Sequence, residues 1–250
     1  MKALILAAGY ATRLSPLTDD FPKGLLPVGG RPMVDWIVDS IRDAGVEDVQ
    51  LVTNARFAPL FDDWGKGNGV TVIDDGTDTN ENRLGAIGDI RFSALDDDAL
   101  VIAGDNLFDY RLADLIDFWR AKGSESAVAV HDVGSRELAR KYGIVDVDAD
   151  DRIVSFVEKP DEPPSTLAAT ATYLYSRAHL ALVDAYLDEG NPPDQPGNYV
   201  AWLHRREPVY AYRFEGGWYD IGDHEQLLEA DNRLRGRLGL ARRASYTLGD

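Results

Sequence analysis

Arg13 and Lys23 stand in one loop whose other members are small or turn-forming: Ala7, Ala8, Gly9 and Ala11 before them, Pro16, Pro22 and Gly24 around them. Those types in that order suit a polyphosphate. Small residues let backbone N–H groups approach an anion closely. Arginine adds a bidentate fork and lysine a point charge. Residues 1–33 hold Lys2, Arg13, Lys23 and Arg31 against Asp19 and Asp20, inside a chain of net charge −17. Such a positive island is an anion site or a surface loop with scattered charges, and composition weighs the two equally. Asp105, in Gly104-Asp105-Asn106, ends an apolar run. A carboxylate there suits Mg²⁺, which takes one or two carboxylates together with substrate phosphates. The competing reading is an aspartate that caps the next turn.

The elements that must position these groups follow from hydrophobic periodicity. The apolar run Ala3 to Ala8 breaks at Gly9, and Pro32 opens an amphipathic stretch with Met33, Trp36, Ile37 and Ile41 on one face. This predicts a buried strand, a long loop and a helix. Leu14, Leu17, Phe21, Leu25 and Leu26 anchor the loop, so it reads as functional rather than disordered. Further runs at Val49–Asn54, Val70–Ile73, Ala99–Ala103 and Ala127–Val130 alternate with helical patterns, including Leu84–Phe92 and the stripe Leu112, Leu115, Ile116 and Trp119. The alternation predicts an α/β fold, a mostly parallel sheet sandwiched by helices with right-handed crossovers. Ligands of such sheets bind outside the carboxyl ends of the strands. Gly9, Asn54, Asp74 and Asp105 each follow a run directly, so they are expected on one edge.

From Tyr142 the pattern changes. Residues 142–147 and 152–158 alternate around the turn Ala149-Asp150-Asp151, which predicts a hairpin with one buried face. An alternating strand, Ala168–Tyr175, a helix from Ser176 to Glu189, a Pro/Gly loop from Gly190 to Gly197 and a strand from Val209 to Phe214 follow. Asp223 is expected to cap a helix from His224 to Leu234. His224 has no evident partner and reads as surface. The expected organisation is one domain, residues 1–240, with an α/β half to about 135 and a small hairpin-containing substrate subdomain from about 136. Residues 241–250 read as a polar tail.

At 250 residues and 44% hydrophobic content, the chain suffices for one large domain with a packed core. It has no cysteine, which excludes disulfides, thiolate metal sites and cysteine nucleophiles. An isoelectric point near 4.5 argues against nucleic-acid or anionic membrane partners. The chain opens on a strand pattern with no leader, and no apolar run approaches the roughly 20 residues that span a bilayer. A soluble, cytoplasmic protein is expected.

Leu6-Ala7-Ala8-Gly9, Thr12-Arg13-Leu14, Pro16-Leu17-Thr18 and Pro22-Lys23-Gly24-Leu25-Leu26-Pro27-Val28 occur in that order. Together they resemble the signature of the sugar-phosphate nucleotidylyltransferases, the nucleoside diphosphate-sugar pyrophosphorylases. Tyr142-Gly143-Ile144-Val145, Glu158-Lys159-Pro160 and Trp218-Tyr219-Asp220-Ile221-Gly222 resemble later elements of the same family. The resemblance covers nearly the whole chain and implies a Rossmann-like fold. It implies that Arg13 and Lys23 are catalytic, and that Leu6, Ala8, Gly9, Thr12, Arg13, Gly85 and Asp105 bind the nucleotide. Gly143, Glu158 and Lys159 would bind the sugar phosphate, and Asp105 and Asp220 would hold Mg²⁺. It further implies a nucleoside triphosphate and a sugar 1-phosphate as partners, and assembly into dimers or tetramers, although no apolar helix face in the sequence names an interface.

Three departures from the family pattern bear on substrate. Ala11 replaces the usual second glycine and would be strained at a positive φ. The segment Asp74–Gly88 is unlike the usual base-binding versions, and in it Asn82 and Arg83 read equally as base contacts or solvated side chains. Asn198 and Tyr199 stand where an acidic stretch is usual. These departures keep open a cytidylyltransferase for a non-sugar acceptor such as a phosphocholine-like or inositol phosphate. A catalytically silent nucleotide-sugar sensor is the other alternative.

Overall fold

The computed structural model describes residues 1–248; Gly249 and Asp250, the end of the expected polar tail, lie outside the described residues. Its first half runs β1 (Lys2–Leu6), β2 (Pro27–Val28), β3 (Arg31–Pro32), α1 (Met33–Asp43), β4 (Val49–Thr53), α2 (Ala58–Asn68), β5 (Thr71–Asp74), α3 (Ala86–Phe92), β6 (Ala99–Ala103), β7 (Asn106–Phe108), α4 (Leu112–Ala121) and β8 (Ser126–Asp132). The second half runs α5 (Arg136–Ala139), β9 (Gly143–Val147), β10 (Ile153–Glu158), β11 (Leu167–Tyr175), α6 (Arg177–Leu180), α7 (Val183–Asp188), α8 (Pro196–Leu203), β12 (Val209–Arg213), β13 (Trp218–Asp220) and α9 (His224–Arg237).

The central sheet carries β5, β4, β1 and β6 side by side and parallel, as expected. In register, Leu6 faces Val52 and Ala103, and Thr53 faces Asp74, so all four strands end at one edge. The chain leaves β1 for β4 on one side and later returns to β6 on the other. That reversal opens a crevice between β1 and β6, where ligands of doubly wound sheets bind. Beyond β6, β11 runs antiparallel and forks the sheet. Its second half pairs β6, its first residues pair β9, and β8 lies along its other side with β12 parallel at the edge. The fork turns at a register shift between Ala169 and Tyr173, where Ala171 takes a positive φ of 52°.

Alternate residues of the strands face two cores. Ala3, Ile5, Leu100 and Ile102 pack under α1, α2, α4 and α9, while Leu4, Val52, Val101 and Val128 pack under α3, α7 and α8. The strands are apolar on both faces because both faces are covered.

The hairpin of β9 and β10 forms as expected. Two expectations need correction. The helix from Ser176 to Glu189 is two short ones, α6 and α7, broken at Ala181 and Leu182. The segment read as an uninterrupted Pro/Gly loop gives way at Pro196 to α8, with Pro at the first turn where its missing N–H costs nothing. Tyr199 is fully buried there, and its hydroxyl donates to the His179 carbonyl, so it belongs to the core. Among the described residues no helix is long and apolar enough to cross a membrane.

Candidate active site

The crevice between β1 and β6 opens into a cleft of about 440 Å³. Leu6, Ala8, Gly9, Arg13, Lys23, Gly85, Asp105 and Asp220 all line it. These residues come from five separated parts of the chain, and the fold brings them together. Thr12 turns the other way and lines a neighbouring cavity of about 480 Å³ with Tyr10, Arg56 and Asp78.

Each charged group is positioned by a local device. Lys23 begins a short 3-10 turn after Pro22, and Gly24 lets that turn lie flat on α1 and α2. A Cβ on Gly24 would stand 2.8 Å from Val34 and 3.3 Å from Phe61. Lys23 Nζ donates to Asp105 Oδ2 at 2.6 Å. The other carboxylate oxygen, Oδ1, accepts from Asn106 Nδ2 at 2.9 Å, and Asn106 Oδ1 accepts from Trp218 Nε1 at 2.6 Å. Trp218 and Asn106 sit on the paired strands β13 and β7; Asp220 closes β13, and the backbone carbonyl of Asp105, just before β7, accepts from Ile221 N at 3.2 Å, so the two aspartates meet at one end of that ladder. Burial alone would raise the Asp105 pKa, but Lys23 and Asn106 outweigh it and hold the carboxyl below its ordinary range. Asp220 goes the other way: burial, then the charge of Asp105, push it up to about 6, against the opposing pull of Lys23, Arg13 and Lys159.

Arg13 differs from the other arginines near the cleft. Arg56 is tied to Asp19 and Asp20, and Arg83 to Asp194 through two parallel bonds of 3.0 Å. Among the described residues Arg13 has no hydrogen bond or ion pair; it faces the cleft beside Gly222, where an added Cβ would sit 3.2 Å from its guanidinium. Among the described residues nothing lies within 4 Å of the position of a Cβ on Gly9, so its backbone opens directly onto the cleft. The loop itself is held from behind: Asn54 Nδ2 donates to the Ala8 carbonyl at 2.9 Å, and Thr18 Oγ1 to the Ala11 carbonyl at 2.9 Å.

Ala11 adopts φ 47° and ψ 40°, the left-handed region. An L-residue there costs about 1–2 kcal/mol, and glycine loses part of that advantage to its greater freedom when unfolded. Ala11→Gly should therefore stabilise the protein by about 0.5–1 kcal/mol, a rise in Tm of roughly 1–4 °C for a domain of this size. Thermal unfolding of the variant checks this, and a lower Tm refutes it.

Gly143, Glu158 and Lys159 form a second group beside the cleft rather than in its lining. Gly143 and Glu158 are cross-strand partners, and a Cβ on Gly143 would meet Phe156 at 2.7 Å and Glu158 Oε2 at 2.8 Å. A matching approach comes from Gly197 on α8. Glu158 is half-buried between the two glycines, and burial raises its pKa despite the opposing charge of Lys159. Lys159 carries a positive φ of 46°, and its charge is felt at Asp220, so this group stands next to the aspartate pair.

At the far end of the cleft, sequence reasoning reached Gly85 and named Arg83 as a possible base contact, but missed Ala86, Asp89, Asp194 and Pro196, which line that end with them. The Pro/Gly loop docks on the start of α3: the Pro193 carbonyl accepts from Ile87 N at 2.8 Å, and Gly85, at φ 78°, leaves no room for a Cβ against Pro193. Asn82 is spent inside its own loop, bonded to Asp78 and Thr79. Asp89 is buried beside Asp75, and burial and that neighbour push its pKa up to about 8. An isolated Asp in an apolar helical pattern was the available signal. His224, read as surface without a partner, places its Nε2 3.0 Å from the Ser15 carbonyl, and Asp223 caps α9 by accepting from Gln226 N at 2.9 Å.

Three solved structures share this architecture. A putative glucose-1-phosphate thymidylyltransferase from Bacillus anthracis, in complex with a sucrose, is 25% identical with a TM-score of 0.76, covering 94% of this chain and 95% of its own. A UDP-glucose pyrophosphorylase complexed with UDP-glucose is 24% identical with a TM-score of 0.80, covering 94% and 98%. The UDP-glucose pyrophosphorylase from Acinetobacter baumanii is 22% identical with a TM-score of 0.76, covering 95% and 96%. The family model described as nucleotidyl transferase matches residues 2–236, and with the phosphate-suited loop, the paired aspartates and the crevice all in place, the chain belongs to that family of enzymes.

Proposed function

We propose that this enzyme transfers a nucleotidyl group from a nucleoside triphosphate to a sugar 1-phosphate and releases pyrophosphate. The observation that carries the reading is Arg13, a guanidinium with no hydrogen bond or ion pair among the described residues, facing a cleft whose wall holds the Lys23–Asp105 pair. A cleft that keeps one cation free and another poised on a carboxylate is arranged for a polyanion. The acceptor phosphate oxygen forms a bond to the α-phosphorus as the bond to the β-phosphate breaks. The acceptor is already an anion at neutral pH, so no general base is needed, and catalysis is positioning and charge neutralisation. Arg13 holds the departing pyrophosphate, Lys23 spans the α-phosphate and the acceptor phosphate, and Lys159 orients the acceptor from the second group. Glu158, half-buried and without a hydrogen-bond donor among the described residues, suits sugar hydroxyls and favours a sugar over a choline-like acceptor.

Asp105 and Asp220 fit Mg²⁺. Two carboxylates brought together so that one raises the pKa of the other are the arrangement a divalent cation relieves. When bound, the ion supplies neutralisation of the charge that develops on the α- and β-phosphates. The named relatives that act on glucose 1-phosphate or hold UDP-glucose support a hexose acceptor. Pyrophosphate release with Mg²⁺ tests the reading, using ATP, CTP, GTP, UTP and dTTP against a panel of sugar 1-phosphates with phosphocholine and inositol phosphate. Turnover with a hexose 1-phosphate is the expected result. Turnover only with CTP and a non-sugar phosphate would move the acceptor, and nucleotide binding without turnover on any acceptor would make the protein a sensor.

A further inference from the structure

The segment read from sequence as a polar tail is fastened to the protein over its described residues, 241–248. After α9, Leu240 N donates to the Arg235 carbonyl at 2.8 Å and turns the chain back along the helix. Asn232 then holds the backbone of Arg243 twice: its Nδ2 donates to the Arg243 carbonyl at 2.9 Å, and its Oδ1 accepts from Arg243 N at 2.7 Å. This delivers the Arg243 guanidinium to Asp231, whose carboxylate is fully buried; Arg243 Nε stands 3.7 Å from Asp231 Oδ2. A buried carboxylate needs such a charge beside it. Three residues on, the Tyr246 hydroxyl donates to the Pro27 carbonyl at 2.7 Å.

What Asp231 and Tyr246 hold is the loop that carries Lys23. Asp231 Oδ1 accepts from Gly29 N at 2.8 Å. Gly29 lies so close to α9 that an added Cβ would stand 2.9 Å from Leu234. Pro27 opens β2, and it follows Leu26, whose N–H closes the Lys23 turn by donating to the Lys23 carbonyl at 3.0 Å. Tyr246 thus pins the residue next to that turn. The start of the loop is held by the same helix, since His224 Nε2 stands 3.0 Å from the Ser15 carbonyl. Between Ser15 and Gly29 the loop is splinted at both ends by α9 and the segment after it.

We propose that residues 241–248 are a strap that positions Lys23, with Arg243 and Tyr246 as its fastenings; both are positioning residues and touch no substrate. The proposal rests on the nucleotidyl-transfer reading above, in which Lys23 spans the two phosphates. The strap lies beyond residue 236, where the family match ends, so the fastening is no part of what that match covers. Its leverage comes from geometry: displacing a catalytic group by about 1 Å costs up to about 10²-fold in rate.

Pyrophosphate-release kinetics and amide hydrogen exchange on the full chain test this together. Arg243→Met removes the cation and leaves the Asp231 carboxylate buried without it, so Asp231 turns from Gly29 toward water. The value of kcat should fall on the order of tenfold or more, with KM for the triphosphate within about threefold, because Arg13 and the Gly9 backbone are untouched. Amides of residues 23–30 should exchange on the order of tenfold faster, while those of β1, β4 and β6 keep wild-type protection. Arg243→Lys keeps a positive charge and should recover part of kcat. Tyr246→Phe deletes only the bond to Pro27, so it keeps the test open if Arg243→Met does not fold, and it should lower kcat about threefold. In a Lys23→Met background, Arg243→Met or Tyr246→Phe should change the remaining rate by less than about twofold, since the strap acts through that lysine. Wild-type kcat in Tyr246→Phe and Arg243→Met, faster exchange spread evenly over the sheet, or an undiminished effect in the Lys23→Met background would overturn the inference and leave nucleotidyl transfer standing. A wild type that releases no pyrophosphate with any nucleotide and acceptor would overturn nucleotidyl transfer and the positioning role with it.

Discussion

Asp105→Asn should lower kcat/KM by on the order of 10³-fold, the upper range for loss of one preorganised charge-stabilising group. The substitution keeps the shape and removes the charge, so it isolates the electrostatic part. It also reverses the local hydrogen-bond logic. One oxygen of Asp105 accepts from Asn106 at 2.9 Å and the other from Lys23 at 2.6 Å, so an amide N–H₂ must face one of those donors. Lys23 then loses the anion that aims it, in a position where its side chain is only 13% exposed. A fall in Tm should therefore accompany the fall in rate. Asp220→Asn provides the contrast. It too should cost on the order of 10²-fold or more in rate, yet it should raise Tm in Mg²⁺-free buffer at pH 8. The folded-state pKa of Asp220 is raised from 3.8 to about 6, so the folded protein binds that proton more tightly than the unfolded chain. Its contribution to stability is fully present below pH 4 and is lost as pH rises through about 6. Asparagine removes that loss, which is up to about 3 kcal/mol. Near wild-type turnover in either variant would refute the roles given to the aspartates, and a lower Tm for Asp220→Asn at pH 8 would refute the electrostatic account.

The same two aspartates show how far the sequence reaches. The run Ala99–Ala103 is apolar on both faces because helices cover both, so its end at Asp105 was legible from periodicity. With it came the placing of Gly9, Asn54 and Asp74 on one edge. The partner of Asp105 was not legible. Lys23 reaches it across 82 positions of sequence, and nothing local in either segment says which carboxylate a lysine will meet. Helix α8 was hidden for a different reason. Its run of Pro and Gly reads as a loop, and only tertiary packing of Tyr199, Val200 and Leu203 makes the segment helical. Docking of that loop on Gly85 shapes the far end of the cleft, so missing α8 meant missing Asp89 as well. Ala11 was legible as a position whose φ mattered, and its value needed the fold.

Arg13→Ala should cost on the order of 10²-fold or more in kcat/KM, with unfolding stability within the roughly ±0.5 kcal/mol typical of a surface substitution. The two halves of that expectation come from one observation. Arg13 has no hydrogen bond or ion pair among the described residues, so its removal breaks no direct contact in the free protein and takes away only its longer-range pull on Asp220. Its room beside Gly222 is nevertheless kept, since any side chain there would press on the guanidinium at about 3.2 Å. A cation with no hydrogen bond or ion pair among the described residues makes its direct contacts when a ligand arrives, and its strongest when charge develops on a leaving pyrophosphate. The loss should therefore fall on kcat as well as on KM for the triphosphate. Arg13→Lys separates charge from geometry. It keeps the positive charge and loses the planar fork, so it should recover part of the rate but remain on the order of tenfold below wild type. A loss under tenfold for Arg13→Ala would sink Arg13 as a principal catalytic residue. A loss confined to KM would make it a binding group for the triphosphate, with Lys23 and the aspartates left to carry the chemical step.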